Sequence, residues 1–266
     1  MVLGEMLCAI WRYRGFVLGS VAREFHSRYR NSLLGAVWAV LNPLAMIMIY
    51  TVIFSQLMQA RLPGIESTFA YSIYLCAGML TWGLFAEIVT RGQSVFIENA
   101  NLLKKLNFPR ICLPIIVALT ALINFSIIFG LFNGFLLFTG NFPGLVFFGV
   151  VPVLLIQIAF SVGLGILLGV LNVFFRDVGQ MVGVLLQFWF WFTPVIYPIS
   201  IVPEWTKALL QWNPMTVLVT TYQNIFLSRA WPDWPSLGPV SVLALLLCGL
   251  ALSSFRKHAG EMVDEL

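Results

Sequence analysis

The sequence predicts an all-α membrane protein of six transmembrane helices, with an amphipathic helix at the N-terminus and short re-entrant outer helices between spans five and six. Three observations carry this. Only 10% of the 266 residues are charged while 60% are apolar, and a soluble domain needs about a quarter charged residues to cover its surface. The apolar residues fall in uncharged blocks of about twenty or more, a pattern that excludes disorder and reads as membrane spans. The basic residues sit between those blocks, so the net charge of +4 describes topology and not a nucleic-acid partner.

Taken in order, residues 5–31 are too polar to span. From Leu18 onward, Leu18, Val21, Ala22, Phe25 and Tyr29 share one helical face, with Ser20, Arg23, Ser27 and Arg30 largely opposite, as in a helix lying in the membrane interface. Such a helix either anchors the chain to an anionic leaflet or positions cytoplasmic machinery. The apolar blocks follow at 33–58, 69–90, 111–138, 145–174, 178–202 and 237–255. At about 1.5 Å rise per residue, each reaches roughly the 30 Å of a hydrocarbon core. The segment 215–228, interrupted by Thr220, Thr221, Gln223 and Asn224, is too short and polar for a span and reads as re-entrant, with Asn213 and Pro214 as the turn before it. The first apolar run, 6–11, is short and follows Glu5, so no cleaved signal peptide is expected.

Orientation follows from the basic residues. Twelve of fifteen fall before span one, between spans two and three, after span four and after span six; Arg61, Lys207 and Arg229 fall on the other side. This asymmetry places both termini in the cytoplasm and supports an even number of spans. Trp205, Trp212, Trp231 and Trp234 cluster in the outer segment, at the level that indole rings favour. With no repeat and no long linker, 1–266 reads as one membrane domain: an interface helix over 1–32, the spans over 33–255 and a cytoplasmic tail over 256–266.

Chemistry-bearing groups are scarce. Cys8, Cys76, Cys112 and Cys248 are far apart, indicating neither a disulfide framework nor a zinc site, and no metal or catalytic residue is expected. Glu87 is the one ionisable residue inside the six blocks, and Arg91 follows one turn later, so an interfacial ion pair is expected in preference to a buried proton carrier. The four lysines follow Leu103, Lys104, Thr206 and Arg256; none can close a phosphate-binding P-loop, which needs glycine before its lysine. Any ATP and Mg²⁺ would be bound by another subunit. Gly165 and Gly169, with Gly163 nearby, form a small-residue face suited to close helix packing.

Two segments are less ordinary. The loop 91–110, RGQSVFIENANLLKKLNFPR, is long enough for a short helix with Val95, Leu102, Leu103 and Leu106 on one side, ended by Pro109. It is either a docking element or a basic loop retained for orientation. The fifth block carries Phe188 to Phe192 as FWFWF, followed by Pro194, Tyr197 and Pro198, and the first carries Trp38, Tyr50 and Phe54 around Asn42-Pro43. These rings either pack helices together or offer faces on which sugar rings stack. Prolines at 194, 198 and 203 break regular helix, and broken backbone at membrane depth requires cover by protein or a water-filled cavity.

In order, REFHSRYRNSLLGAVWAVLNPL, LLKKLNFPR, NVFFRDVGQ, TPVIYP and WNPMT resemble the ABC-2 type permeases of bacterial polysaccharide export, the membrane subunits that move O-antigen, capsule or teichoic-acid chains. The likeness covers essentially the whole chain. It implies a multi-pass protein of the bacterial inner membrane, with six spans per subunit, a homodimer enclosing the channel, and two copies of a cytoplasmic ABC ATPase. Its cargo would be a polysaccharide, most simply lipid-linked O-antigen. The resemblance makes 99–106 a coupling helix, with Glu98, Asn99, Leu102, Lys104, Lys105 and Leu106 at the ATPase. It makes Trp38, Tyr50, Phe54, Trp189, Trp191 and Tyr197 substrate-channel residues. It also makes Glu204–Gln211 and 215–226 outer gate helices, drawing in Pro194, Pro198, Trp205, Trp212, Met215 and Tyr222. Another ABC-2 cargo, such as a drug or haem, shares the scaffold. An ion-coupled transporter would need polar or acidic groups at the midplane, and none is seen.

Overall fold

The computed structural model describes residues 11–29, 37–53, 69–105, 108–258 and 260–265, and every regular element among them is helical. Helix α1 is Arg14–Tyr29 and α2 is Trp38–Tyr50; α3 is Ala70–Glu98, followed at once by the short α4, Ala100–Lys105. Helix α5 is Cys112–Phe138, and a 3-10 turn, Gly144–Gly149, runs into α6, Val150–Phe174. Then come α7 (Asp177–Trp191), α8 (Glu204–Gln211), α9 (Pro214–Gln223), α10 (Trp234–His258) and α11 (Glu261–Glu265), with a π turn Asn224–Ser228 after α9.

The six-span expectation is corrected. Four described helices are long and apolar enough to cross a membrane: α3, α5, α6 with its leading turn, and α10. The 178–202 block yields only the 15 residues of α7, roughly 22 Å at 1.5 Å per residue against a core of about 30 Å. Pro194 lacks an N–H, and its ring disfavours the helical conformation for Thr193, so the chain unwinds after Trp191. Within the 33–58 block the described helical run is Trp38–Ile53, with Pro43 inside it, and the rest of the block lies outside the described residues. Phe54, together with the side chain of Tyr50, lies outside the described residues.

Helix α3 is the centre of the packing: 72% of its most apolar stretch is buried, against 22% for α10. The glycines expected to mediate close approach do so. A Cβ on Gly169 would stand 2.6 Å from the carbonyl oxygen of Gly92 on α3, and one on Gly92 would stand 3.0 Å from Gly165 Cα. Gly163 faces the other way, where a Cβ would lie 2.8 Å from the backbone nitrogen of Cys248 on α10. Buried amides lock the same interface. Gln157 donates to the Thr81 carbonyl at 2.7 Å, and Asn172 donates to the Gln93 carbonyl at 2.9 Å while accepting from Gly179 N–H at 3.0 Å. Helices α3, α6 and the start of α7 are thus held as one unit by polar contacts that hydrocarbon cannot replace.

The unwound segment after α7 is buried, with Thr193 and Val195 almost inaccessible. Its carbonyls find donors on neighbouring helices. Tyr74 Oη lies 2.9 Å from the Pro194 carbonyl and 2.8 Å from that of Tyr197; Gln223 donates to the Pro194 carbonyl at 3.1 Å, and Tyr71 donates to that of Ile196 at 2.6 Å. Gly78 makes room, since a Cβ there would meet Gln223 at 2.9 Å and the Val195 carbonyl at 3.0 Å. This is the protein cover that broken backbone requires.

Two outcomes follow. Gly169→Leu should destabilise the fold by about 3 kcal/mol, because the clash is with backbone that cannot rotate away; an unchanged midpoint of SDS-induced unfolding would contradict the packing. Tyr74→Phe should cost about 1–3 kcal/mol by stranding the Tyr197 carbonyl, that of Pro194 keeping Gln223, and should increase the labelling of a cysteine placed at Ile196. Labelling equal to that of the parent would contradict the assigned bonds.

Candidate functional site

Basic residues collect at one end of the helices, where the C-terminal ends of α3 and α10 meet in a stacked pair, Phe96 with Phe255, at 5.6 Å. By the positive-inside rule this is the cytoplasmic end. Helix α1 lies here against α5, burying Val17 and Val21 with Cys112 and Ile116. Its inward face is therefore rotated from the expected one: Leu18 and Ala22 are exposed, and Glu24 is half-buried. Glu24 is ion-paired with Arg91 of α3 and accepts from Thr120 at 3.3 Å. Arg91 also reaches Glu87, 3.6 Å away, which accepts from Asn124 at 2.9 Å. The expected Glu87–Arg91 pair is present, but as the middle of a chain linking α1, α3 and α5.

Helix α4 sits just beyond. Asn99 donates its side-chain amide to the Val95 carbonyl at 2.8 Å, and its own carbonyl accepts from the N–H groups of Leu102 and Leu103 at 3.0 Å, turning the chain from α3 into α4. Leu103 is buried with Val95, Phe96 and Met262, Leu102 is half-buried, and Glu98 and Lys104 are exposed. Leu106 and the side chain of Lys105 lie outside the described residues. A groove of about 520 Å³ between α1, α3 and α4 is lined in part by Arg23, Glu24, Arg91, Glu98 and Asn99. The arrangement offers a polar, charged surface on a short helix joined directly to the central helix.

At the opposite end the five consecutive rings of α7 divide by direction. Phe188, Trp191 and Phe192 are about 60% exposed. Trp189 turns inward against Phe85, with centroids 5.1 Å apart, and Phe190 packs on Trp82 at 5.5 Å. Trp189 also donates its indole N–H to Asn213 at 2.7 Å. Asn213 is the organiser of this region: it accepts from Met215 N–H at 3.0 Å as the N-cap of α9, with Pro214 at the first helical position. Its amide donates to the Phe192 carbonyl at 2.9 Å and to Thr193 at 3.1 Å. Trp38 of α2 is largely exposed, and Tyr197, half-buried, donates to the Trp191 carbonyl at 2.8 Å.

Of the remaining outer residues, Met215 and Tyr222 are in the core with Leu218 and Ile225, and Pro194 is buried in the unwound segment. Pro198 is half-buried, whereas Trp205 and Trp212 are exposed. Sequence reading missed Glu24, Tyr74, Asn213 and Gln223 as organising residues. For Asn213 a signal existed, because Asn before Pro at a helix start is an N-cap signature; the others depend on contacts distant in the chain.

Against known proteins, residues 17–227 match the family described as ABC-2 type transporter. The O-antigen export system permease protein RfbA of Myxococcus xanthus is 33% identical over 261 residues, covering 97% of each chain. A protein of the same name from Klebsiella pneumoniae is 28% identical over 88% of each chain. The polysialic acid transport protein KpsM of Escherichia coli is 23% identical over 89% of this chain and 92% of its own. With a family match over most of its length and a third of its residues shared end to end with an export permease, the chain belongs to the ABC-2 type transporter family, as a multi-pass permease subunit of the bacterial inner membrane.

Proposed function

We propose that this chain is the channel-forming subunit of an ATP-driven exporter of a polysaccharide, most simply lipid-linked O-antigen. Two copies would enclose the path, and two copies of a separate cytoplasmic ATPase would bind and hydrolyse ATP. The observation that carries the cargo is the row of rings on α7, Phe188, Trp191 and Phe192, exposed beside Tyr197 on a helix whose charged residue, Asp177, lies at its far end. Ring faces stack on the apolar faces of pyranoses without fixing hydrogen-bond geometry, which suits a chain that slides. The end-to-end likeness to O-antigen export permeases supports the same cargo. Capsular polymer is the second reading, resting on the 23% identity with KpsM.

In this reading Trp38, Trp191 and Tyr197 contact sugar, with Tyr50 and Phe54 as further contacts from the first block, and Trp189 presents what packing leaves free of its ring. Two subunits would meet across the exposed apolar faces of α2 and α7, in the symmetry usual for homo-oligomers. Helices α8 and α9 form the outer gate, with Pro194, Pro198, Trp205, Trp212, Met215 and Tyr222 setting its hinge and surface. Helix α4 receives the ATPase through Glu98, Asn99, Leu102, Lys104, Lys105 and Leu106, and rigid-body motion of α3 carries the push outward.

Lys104→Glu should reduce co-purification of the ATPase with the permease by about tenfold, the effect of reversing one interfacial charge; undiminished co-purification would count against the contact. In proteoliposomes holding both subunits and the lipid-linked glycan, glycan should reach the far side only with hydrolysable ATP. Trp191→Ala should slow that export about fivefold, corresponding to about 1 kcal/mol for one stacked ring, while ATPase binding stays unchanged. An undiminished rate would remove Trp191 from the path, and export without ATP would overturn the reading as a whole.

A further inference from the structure

A second cleft opens at the outer end, between α8, α9 and the start of α10, with a volume of about 600 Å³, inside the range of about 300–1,000 Å³ usual for small-molecule sites. Two indole rings border it, Trp212 at 90% exposure and Trp231 at 58%. Its wall is rich in acceptors. Thr220 and Thr221 line it, and each gives its hydroxyl hydrogen to a carbonyl one turn back, of Thr216 and Val217, at 2.7 Å; their oxygens remain as acceptors. The Asp233 carboxylate, which accepts from Ser236, lies on the same wall. Asp233 is the only ionisable residue among the described lining residues, and none of them is a lysine or arginine.

We propose that this cleft binds a neutral pyranose unit of a soluble glycan chain on the outer side of the membrane. Flat aromatic borders match the apolar faces of a sugar ring. A carboxylate and a row of acceptor oxygens match its hydroxyl donors, since ionised carboxylates accept strong hydrogen bonds from O–H groups. A phosphate or other anion is disfavoured, because it would face Asp233 with no cation to pair with. No α7 ring lines this cleft, although Trp212 and Pro214 border both it and the cavity lined by Phe188, Trp189 and Phe192; it adds a holding point next to the path and deepens the polysaccharide reading on which the source of the sugar rests.

The test is saturation-transfer-difference NMR on the full-length permease in phosphatidylcholine nanodiscs. The probes are the methyl pyranosides of glucose, galactose and mannose, with inorganic phosphate as the anionic comparison. At least one pyranoside should give a signal above that of empty nanodiscs, and phosphate should not displace it. Trp212→Ala, at an exposed site, and Asp233→Asn, which keeps the side-chain acceptor, should each lower the signal about fivefold. No signal from any pyranoside, or signals unchanged in both variants, would overturn the proposal. So would displacement of the sugar by glucosyl-diacylglycerol at a concentration too low for free methyl glucoside to compete, since a lipid headgroup would then be the preferred occupant. Binding here needs neither ATP nor the ATPase. Failure of binding with intact ATP-driven export would refute this cleft alone, and intact binding without export would refute the cargo reading alone.

Discussion

The rest of the outer architecture depends on how the carbonyls of the unwound segment 192–198 are satisfied. In hydrocarbon an unpaired carbonyl costs several kcal/mol, and Pro194 and Pro198 each remove an N–H donor where the helix ends. Apart from Val195 N–H, which donates to the Thr193 carbonyl, the donors come from elsewhere: Tyr71 and Tyr74 from α3, Gln223 from α9 and Asn213 from the turn before α9. Each donor thereby fixes the position of its own helix. Because Asn213 also accepts from Trp189 and from Met215, one amide sets the end of α7, the start of α9 and the inward rotation of Trp189 together. The exposure of Phe188, Trp191 and Phe192 is a consequence, since a helix with rings on every side must expose whichever ones its anchors leave outside.

Helix α3 joins this region to the cytoplasmic end. Its 29 residues carry Tyr71 and Tyr74 near one terminus, and near the other they carry Arg91 in the chain with Glu24 and Glu87, then Glu98 beside α4. Between them, Gly92 meets Gly165 and Gly169, and Gln93 and Thr81 accept amides from α6. A helix so tightly keyed along one side moves with its neighbour or not at all, because packed interiors are bistable and do not deform continuously. A displacement of α4 therefore has a rigid route to the carbonyls of the unwound segment.

Much of this was legible in the sequence wherever the signal was local. The Glu87–Arg91 pair is an i,i+4 relation and the Gly165/Gly169 face is a four-residue spacing, whereas of the short helix expected within 91–110 only Ala100–Lys105 is separate, residues 91–98 being the end of α3. What could not be read required knowing which helix lies beside which. Nothing local in Glu24 announces Arg91, 67 residues away. The face of α1 was displaced because the hydrophobic pattern alone favoured Leu18, whereas the ion pair and Val17 fix the rotation. The span count failed for a different reason: hydropathy measures apolar length, and α7 is apolar well beyond the point where Pro194 ends its helix.

The distribution of ionisable groups bears on how work is supplied. Helices α5 and α6 contain no charged residue, and those of α10 lie in its last turn. In α3, Glu87 and Arg91 are committed to each other and to Asn124 and Glu24, and Glu98 is at the exposed cytoplasmic end. Coupling to an ion gradient requires a group that can take up and release charge within the membrane, with its partners exchanged during the cycle. The Glu87 carboxylate is held between Arg91 and Asn124. Releasing it would break the same contacts that hold α1 and α5 on α3. The charges of Glu87 and Arg91 thus serve as structural ties, and in the proposed exporter a partner would act on the exposed charges of Glu98 and Lys104 at α4.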